Sequence, residues 1–210
     1  MIRVVIADDH AIVRRGMRQV LEEAGDVQVV GEASGYAELS ALLRERDCDV
    51  LVLDIAMPQK DGMDVLRSVR ALHPRVHVLM VSMYPEEQYA LRALRAGAAG
   101  YLNKASAPEK LREAVRAVAL GRRYLTAEVA ELLAERMTHP SERPPHELLS
   151  DREFQTLRLI ASGRKLSEIA AALALSPKTV SVYRARVLAK IGARSNAELT
   201  RYAIENRLLD

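Results

Sequence analysis

The stretch LVLDIAMPQKDG, residues 51–62, decides the fold of the first half of the chain. Its first three residues continue a strand: Leu51, Val52 and Leu53, with the preceding Val50, form an apolar run with no polar alternation, as a parallel strand covered on both faces requires. The run stops abruptly at Asp54. Pro58 and Gly62 then shape a loop before helical spacing resumes over about 62–72. A strand, a carboxylate at its carboxyl end, a loop and a helix make one βα unit.

Outward from this unit the same alternation repeats. Short runs rich in Val, Ile and Leu occur at Arg3–Ala7, Val27–Glu32, Val76–Val81 and Gly100–Leu102. Helical spacing separates them, over about 10–24, 36–46, 86–96 and 107–120. Gly25, Gly62, Gly97 and Gly121 fall at or near helix ends. Five strands alternating with five helices predict an α/β fold, a five-stranded, doubly wound parallel sheet. Residues 126–137 read as one more helix, and THPSERPPHE (138–147), with three prolines, reads as a linker. From Leu148 onward only helical spacing remains, at about 151–161, 166–173, 177–191 and 196–205. The expected domains are therefore 1–122, a helix and flexible linker over 123–147, and an all-α four-helix domain over 148–210.

Composition narrows the possibilities. With one Phe and no Trp, aliphatic packing must build both cores, and a large aromatic ligand pocket is not expected. Cys48 is the only cysteine, so no internal disulfide forms; a buried structural thiol is expected. Acidic residues follow the first short apolar run at once, so no signal peptide is expected. No run approaches the roughly 18 apolar residues of a membrane span, which points to the cytoplasm and no membrane partner. Residues 148–210 carry 11 Lys+Arg against 6 Asp+Glu, a net +5, whereas residues 1–147 net −2. A basic last third suggests a polyanion as its partner.

The unusual residues sit where strands end: Asp8 and Asp9 after the first, Asp54 on the third, Ser82 on the fourth, Lys104 just past the fifth. Such positions converge on one edge of a parallel sheet. Three crowded carboxylates repel one another unless a cation lies among them. An all-oxygen set, with no His or Cys expected to join it, favours Mg²⁺ over Zn²⁺. A carboxylate beside Mg²⁺ can attack phosphorus, giving an aspartyl phosphate. Lys104 and the Ser82 hydroxyl would then meet phosphoryl oxygens. Each residue alone has an ordinary explanation: Asp9 could cap the next helix, Asp54 could be a loop residue and Lys104 a solvated lysine. All of them together at strand ends are improbable by chance.

IADDH (6–10), LVLDIAMPQKDG (51–62), LMVS (79–82) and GAAGYLNK (97–104) resemble the flavodoxin-like receiver domain of response regulators. The resemblance implies that Asp54 accepts phosphate from a sensor histidine kinase. It implies Mg²⁺, or Mn²⁺, bound by Asp9 directly, by Asp8 through water, by Asp54 and by the backbone carbonyl of Ala56. It gives Lys104 and Ser82 to the phosphoryl oxygens and Tyr101 to a rotameric switch linked to Ser82.

In the last third, Ser150 and Glu153 form a capping box, and Ser176 and Pro177 cap and open a helix over 177–191. Wound at about 100° per residue, this helix turns Val180, Tyr183, Val187 and Ile191 inward. Lys178, Ser181, Val182, Ala185 and Ala189 face away, with Arg186 on the flank. Small side chains there let a helix approach a groove. An amphipathic helix with a solvated basic edge would read the same way. LSDRE (149–153), IASG (160–163) and SEIAAALALSPKTVSVYRARVLAKIG (167–192) resemble the LuxR-type helix-turn-helix. With the receiver this is similar to the NarL/FixJ class, and SPKTVSVYRAR (176–186) to its branch containing GacA and UvrY. The resemblance implies double-stranded DNA as partner, a homodimer when phosphorylated, and Lys178, Thr179, Ser181, Val182, Ala185, Arg186 and Lys190 at the DNA surface.

Two other functions would use similar residues. A haloacid-dehalogenase-like phosphatase needs an acid two residues after its nucleophile, where this chain has Ala56. A vestigial receiver would have lost part of the set Asp8, Asp9, Asp54, Ser82 and Lys104, which is complete.

Overall fold

The computed structural model describes residues 1–57, 60–106, 108–138 and 144–209, without the side chains of 87 and 136–138. Pro58 and residues 139–143 of the expected linker lie outside the described residues. The chain divides into two compact units, Met1–Leu133 and Ala134–Asp210.

In the first unit five strands, β1 (Ile2–Ala7), β2 (Val27–Ala33), β3 (Val50–Asp54), β4 (His77–Ser82) and β5 (Gly100–Asn103), alternate with α1 (Ala11–Glu22), α2 (Tyr36–Glu45), α3 (Gly62–Leu72), α4 (Glu86–Arg95) and α5 (Pro108–Ala119). All strand pairs are parallel, in the order β2-β1-β3-β4-β5. Every residue of β3 is buried, which is why its sequence shows no alternation. Val4, Ile6, Val50, Val52, Leu79, Val81 and Leu102 pack on one face against Met17, Leu21, Leu111 and Val115 of α1 and α5. The alternate residues Val5, Leu51, Leu53, Val78 and Met80 are equally buried on the other face, which α2, α3 and α4 cover.

The sheet register sets the site. Ala7 is level with Leu53, so Asp8 and Asp54 leave the sheet side by side. They do so between β1 and β3, where the strand order reverses and open α/β sheets bind ligands. Ser82 is level with Asn103, which delivers Lys104 to the same edge.

α6 (Ala127–Thr138) follows, and then a 3-10 turn, Pro145–Leu148, that the linker reading did not anticipate. The second unit holds α7 (Asp151–Ala161), α8 (Leu166–Ala172), α9 (Pro177–Ile191) and α10 (Asn196–Glu205) around Phe154, Leu157, Ile169, Val180, Val187 and Leu199. The Ser150–Glu153 capping box forms, and Ser176 accepts from the Thr179 N–H. The α8–α9 turn puts Ala174 at φ +52, a left-handed conformation that costs a non-glycine residue about 1 kcal/mol. Gly192 ends α9 in the same region at no such cost. No helix among the described residues is long and apolar enough to cross a membrane.

Candidate phosphoacceptor site and helix-turn-helix

Asp8 and Asp54 are fully buried, and the Lys104 ammonium bridges them, 2.6 Å from Asp8 Oδ2 and 2.7 Å from Asp54 Oδ2. Burial raises the Asp54 pKa above the usual carboxylate value, because Lys104 only partly offsets lost hydration. Burial also works against the Lys104 ammonium, yet the two carboxylates outweigh it and hold its pKa above the ordinary lysine value. One carboxylate oxygen, Asp54 Oδ1, is buried with no hydrogen-bond partner among the described residues. An orphaned buried oxygen beside further carboxylates fits a hard cation. Asp8, Asp9, His10 and Asp54 each offer one ligand atom, all within 4.8 Å of one another.

One expectation changes here. Asp9 does not cap α1: His10 holds the N-cap position, with no side-chain cap bond, and its N–H donates to Asp8 Oδ1 at 2.7 Å. His10 Nδ1 lies 2.7 Å from Asp9 Oδ1, which puts an imidazole nitrogen beside the acidic cluster. The sequence signal was the histidine directly after the aspartate pair. Ala56 is exposed in the loop after β3.

The loop is drawn tight by Gly62. A Cβ there would stand 2.3 Å from the Asp54 carbonyl oxygen and 2.6 Å from Ile55 Cα, so only glycine fits. Ser82 is buried at the end of β4, where its Oγ accepts from the Tyr84 N–H at 3.3 Å. Tyr101 is buried too, and its hydroxyl donates to the Tyr84 carbonyl at 2.8 Å. The β4–α4 loop therefore touches both residues of the expected switch. Cys48 is half-buried; its thiol donates to the Val50 carbonyl, and burial pushes its pKa up to about 12, which keeps it unreactive.

Two family models match the chain: the response regulator receiver domain over residues 4–116, and the luxR family of bacterial regulatory proteins over 147–203. Response regulator UvrY of Escherichia coli K12 is 36% identical over 209 residues, 99% of this chain and 96% of UvrY. The chain is a two-component response regulator with a LuxR-type DNA-binding domain. Response regulator GacA of Pseudomonas protegens is also 36% identical, over 100% of this chain and 99% of its own. Among solved structures, RcsB of Salmonella enterica serovar Typhimurium, bound to promoter rprA with the phosphomimetic BeF3−, superposes with a TM-score of 0.71. That match is 29% identical and covers 96% of this chain and 97% of RcsB. The family relation agrees with the resemblance to the GacA and UvrY branch.

In this LuxR-type domain Val180 and Val187 of α9 are buried, and Tyr183 and Ile191 half-buried, on the inward face. Lys178, Ser181, Val182, Ala185 and Arg186 are exposed together. Val182 is 45% exposed, a large apolar side chain in water beside two cations. Thr179 is half-buried, its hydroxyl 2.8 Å from Ser176 Oγ. Lys190 has a partner that the sequence did not indicate. Its ammonium lies 2.6 Å from Glu153 Oε2 and 3.2 Å from the Leu148 carbonyl, so this exposed lysine is already paired within its own domain. Arg164 and Lys165, in the turn before α8, are exposed cations that the helix-by-helix reading passed over.

Proposed function

We propose that Asp54 accepts a phosphoryl group from a sensor histidine kinase, and that this modification controls dimerisation and sequence-specific DNA binding through α9. The observation that carries the reading is the convergence of Asp8, Asp54 and Lys104 at the β1–β3 reversal, with Asp54 Oδ1 lacking a partner among the described residues.

An Asp54 oxygen attacks phosphorus in line; the phosphorus–nitrogen bond of the donor phosphohistidine breaks, and its electron pair stays on the imidazole. Asp8, Asp9, Asp54 and the Ala56 carbonyl would hold Mg²⁺ or Mn²⁺, which neutralises charge on the phosphoryl oxygens when bound. Lys104 gives up its hold on Asp54 and pairs with a phosphoryl oxygen. The Ser82 hydroxyl turns to another oxygen and leaves the Tyr84 N–H. Tyr101, bonded to the same tyrosine's carbonyl, moves with that loop. Turnover is not expected, because Ala56 stands where a hydrolase needs its acid.

Residues 1–122 would act as receiver, 123–147 as helix and linker, and 148–210 as the DNA-binding domain. Lys178 and Arg186 would position α9 on phosphates, while Ser181, Val182 and Ala185, with Thr179 at the edge, would meet base edges in the major groove. One small domain reads few base pairs, so two copies on neighbouring half-sites give specificity.

Intact mass after incubation with acetyl phosphate and Mg²⁺ tests the acceptor. Wild type should gain one phosphoryl group and Asp54→Asn none; stoichiometric labelling of Asp54→Asn would overturn the reading. Sedimentation with a phosphoryl mimic tests dimerisation, and an unchanged monomer mass would count against it.

A further inference from the structure

His10 is the residue of the acidic cluster that phosphoryl transfer leaves without a task. Its imidazole Nδ1 lies 2.7 Å from Asp9 Oδ1 and 3.5 Å from Asp8 Oδ1, and its side chain is 64% exposed. Asp8 and Asp54 each give one oxygen to Lys104, but Asp54 Oδ1 remains buried and unpartnered among the described residues. Four ligand atoms, one each from Asp8, Asp9, His10 and Asp54, thus fall within 4.8 Å of one another.

Nitrogen changes which ion such a set prefers. Mg²⁺ takes oxygen donors and keeps several waters, whereas imidazole favours the later divalent ions, Co²⁺ and Zn²⁺ among them. Tetrahedral Zn²⁺ binds oxygen and nitrogen at about 2.0–2.2 Å, which sets its ligands roughly 3.4 Å apart. Reaching that spacing requires movement of about an ångström. The exposed His10 and the one-third-exposed Asp9 have room to move, whereas Asp8 and Asp54 are buried.

We propose that His10 joins Asp8, Asp9 and Asp54 as a fourth ligand, so that this site takes Zn²⁺ or Co²⁺ in a closed, tetrahedral form that competes with Mg²⁺. The inference rests on the acidic-site reading above and deepens it. A closed set of four protein ligands leaves no coordination position for a phosphoryl oxygen, as structural zinc sites show in general. Ions of this class therefore hold the receiver in its unmodified state, and the free Zn²⁺ level becomes a second input to the same residue that the kinase addresses.

Calorimetric titration of the full-length protein at pH 8 with Mg²⁺, Co²⁺ and Zn²⁺ chlorides tests this, with the visible absorption of Co²⁺ as a second readout. Wild type should bind Co²⁺ and Zn²⁺ at least tenfold more tightly than Mg²⁺. His10→Ala should weaken Co²⁺ and Zn²⁺ binding by tenfold or more, change Mg²⁺ binding by less than about twofold, and alter the Co²⁺ spectrum as nitrogen is lost. Identical Co²⁺ affinity and spectrum in wild type and His10→Ala would overturn the proposal. Equal weakening of all three ions would overturn it as well, since His10 would then act only by positioning Asp9. Asp54→Asn separates this failure from that of the site itself. It should weaken every ion, and undiminished Mg²⁺ binding in Asp54→Asn would overturn the acidic-site reading along with the inference.

Discussion

The Lys190 ammonium lies 2.6 Å from Glu153 Oε2, the same oxygen that accepts the Ser150 N–H in the capping box of α7. One carboxylate, 4% exposed, thus ties the end of α9 to the start of α7. Lys190→Ala leaves that carboxylate with fewer donors. Lys190 itself is 40% exposed, so solvent screens the pair, and the expected loss is about 1 kcal/mol. Amide hydrogen exchange in α7 and α9 should accelerate accordingly, while the salt dependence of DNA affinity stays the same. A reduced salt slope would return Lys190 to the DNA interface.

The same pair predicts a pH dependence. Burial alone would raise the Glu153 pKa, but Lys190 and the Ser150 N–H outweigh it and hold it below the usual glutamate value. A depressed folded-state pKa gives stability that is present above the unfolded value, about 4.3, and is lost as pH falls through the folded value. The difference in stability between wild type and Lys190→Ala should therefore be full at pH 6 and shrink below about pH 4. Denaturant titrations at both pH values check this, and a gap that widens in acid would contradict it.

Lys104 holds two buried carboxylates together, so Lys104→Ala should destabilise the receiver by about 3 kcal/mol without divalent ions. Millimolar Mg²⁺ should restore more stability to this variant than to wild type, because the ion replaces the missing charge. Phosphorylation should persist while its gain in DNA affinity fades. Thermal melts with and without Mg²⁺, and binding of the phosphorylated variant to operator DNA, measure the two effects.

Gly62→Ala places a methyl 2.3 Å from the Asp54 carbonyl oxygen and 2.6 Å from Ile55 Cα. Both neighbours are backbone and cannot swing aside. The substitution should cost about 1–3 kcal/mol and displace the loop that carries Ala56. Slower labelling by acetyl phosphate, together with a lowered melting temperature, is the expected result. Unchanged labelling would mean that the loop tolerates the shift.

On α9, Lys178→Ala removes an exposed cation from the first turn. It should weaken operator and random DNA alike and lower the slope of log affinity against log salt by about one. Val182→Ala should leave that slope intact and change preference among operators, since an apolar group reads thymine methyls rather than phosphates. A salt series with both variants and both DNAs distinguishes these outcomes.

Periodicity determined the strands, the α-helices and their faces. The apolar run Val50–Leu53 needed two covered faces, and the spacing of Val180, Tyr183, Val187 and Ile191 selected one side of α9. Local backbone chemistry fixed the Ser150 and Ser176 caps. Strand ends placed Asp8, Asp54, Ser82 and Lys104 at one edge, because in a parallel sheet every carboxyl end points the same way. What tertiary structure decided was which charges meet. Lys190 looked like a surface cation until α7 packed on α9 and brought Glu153 to it. His10 looked like the first residue of a helix until β1 and β3 aligned and set it beside three carboxylates. Gly62 signalled only a turn, and its need for a missing side chain arises from the backbone of Asp54 and Ile55 pressing on it. Side-chain period is a property of one element, whereas an ion pair, a ligand set or a steric limit belongs to two elements at once. Only their packing distance, a few ångströms either way, determines whether it exists.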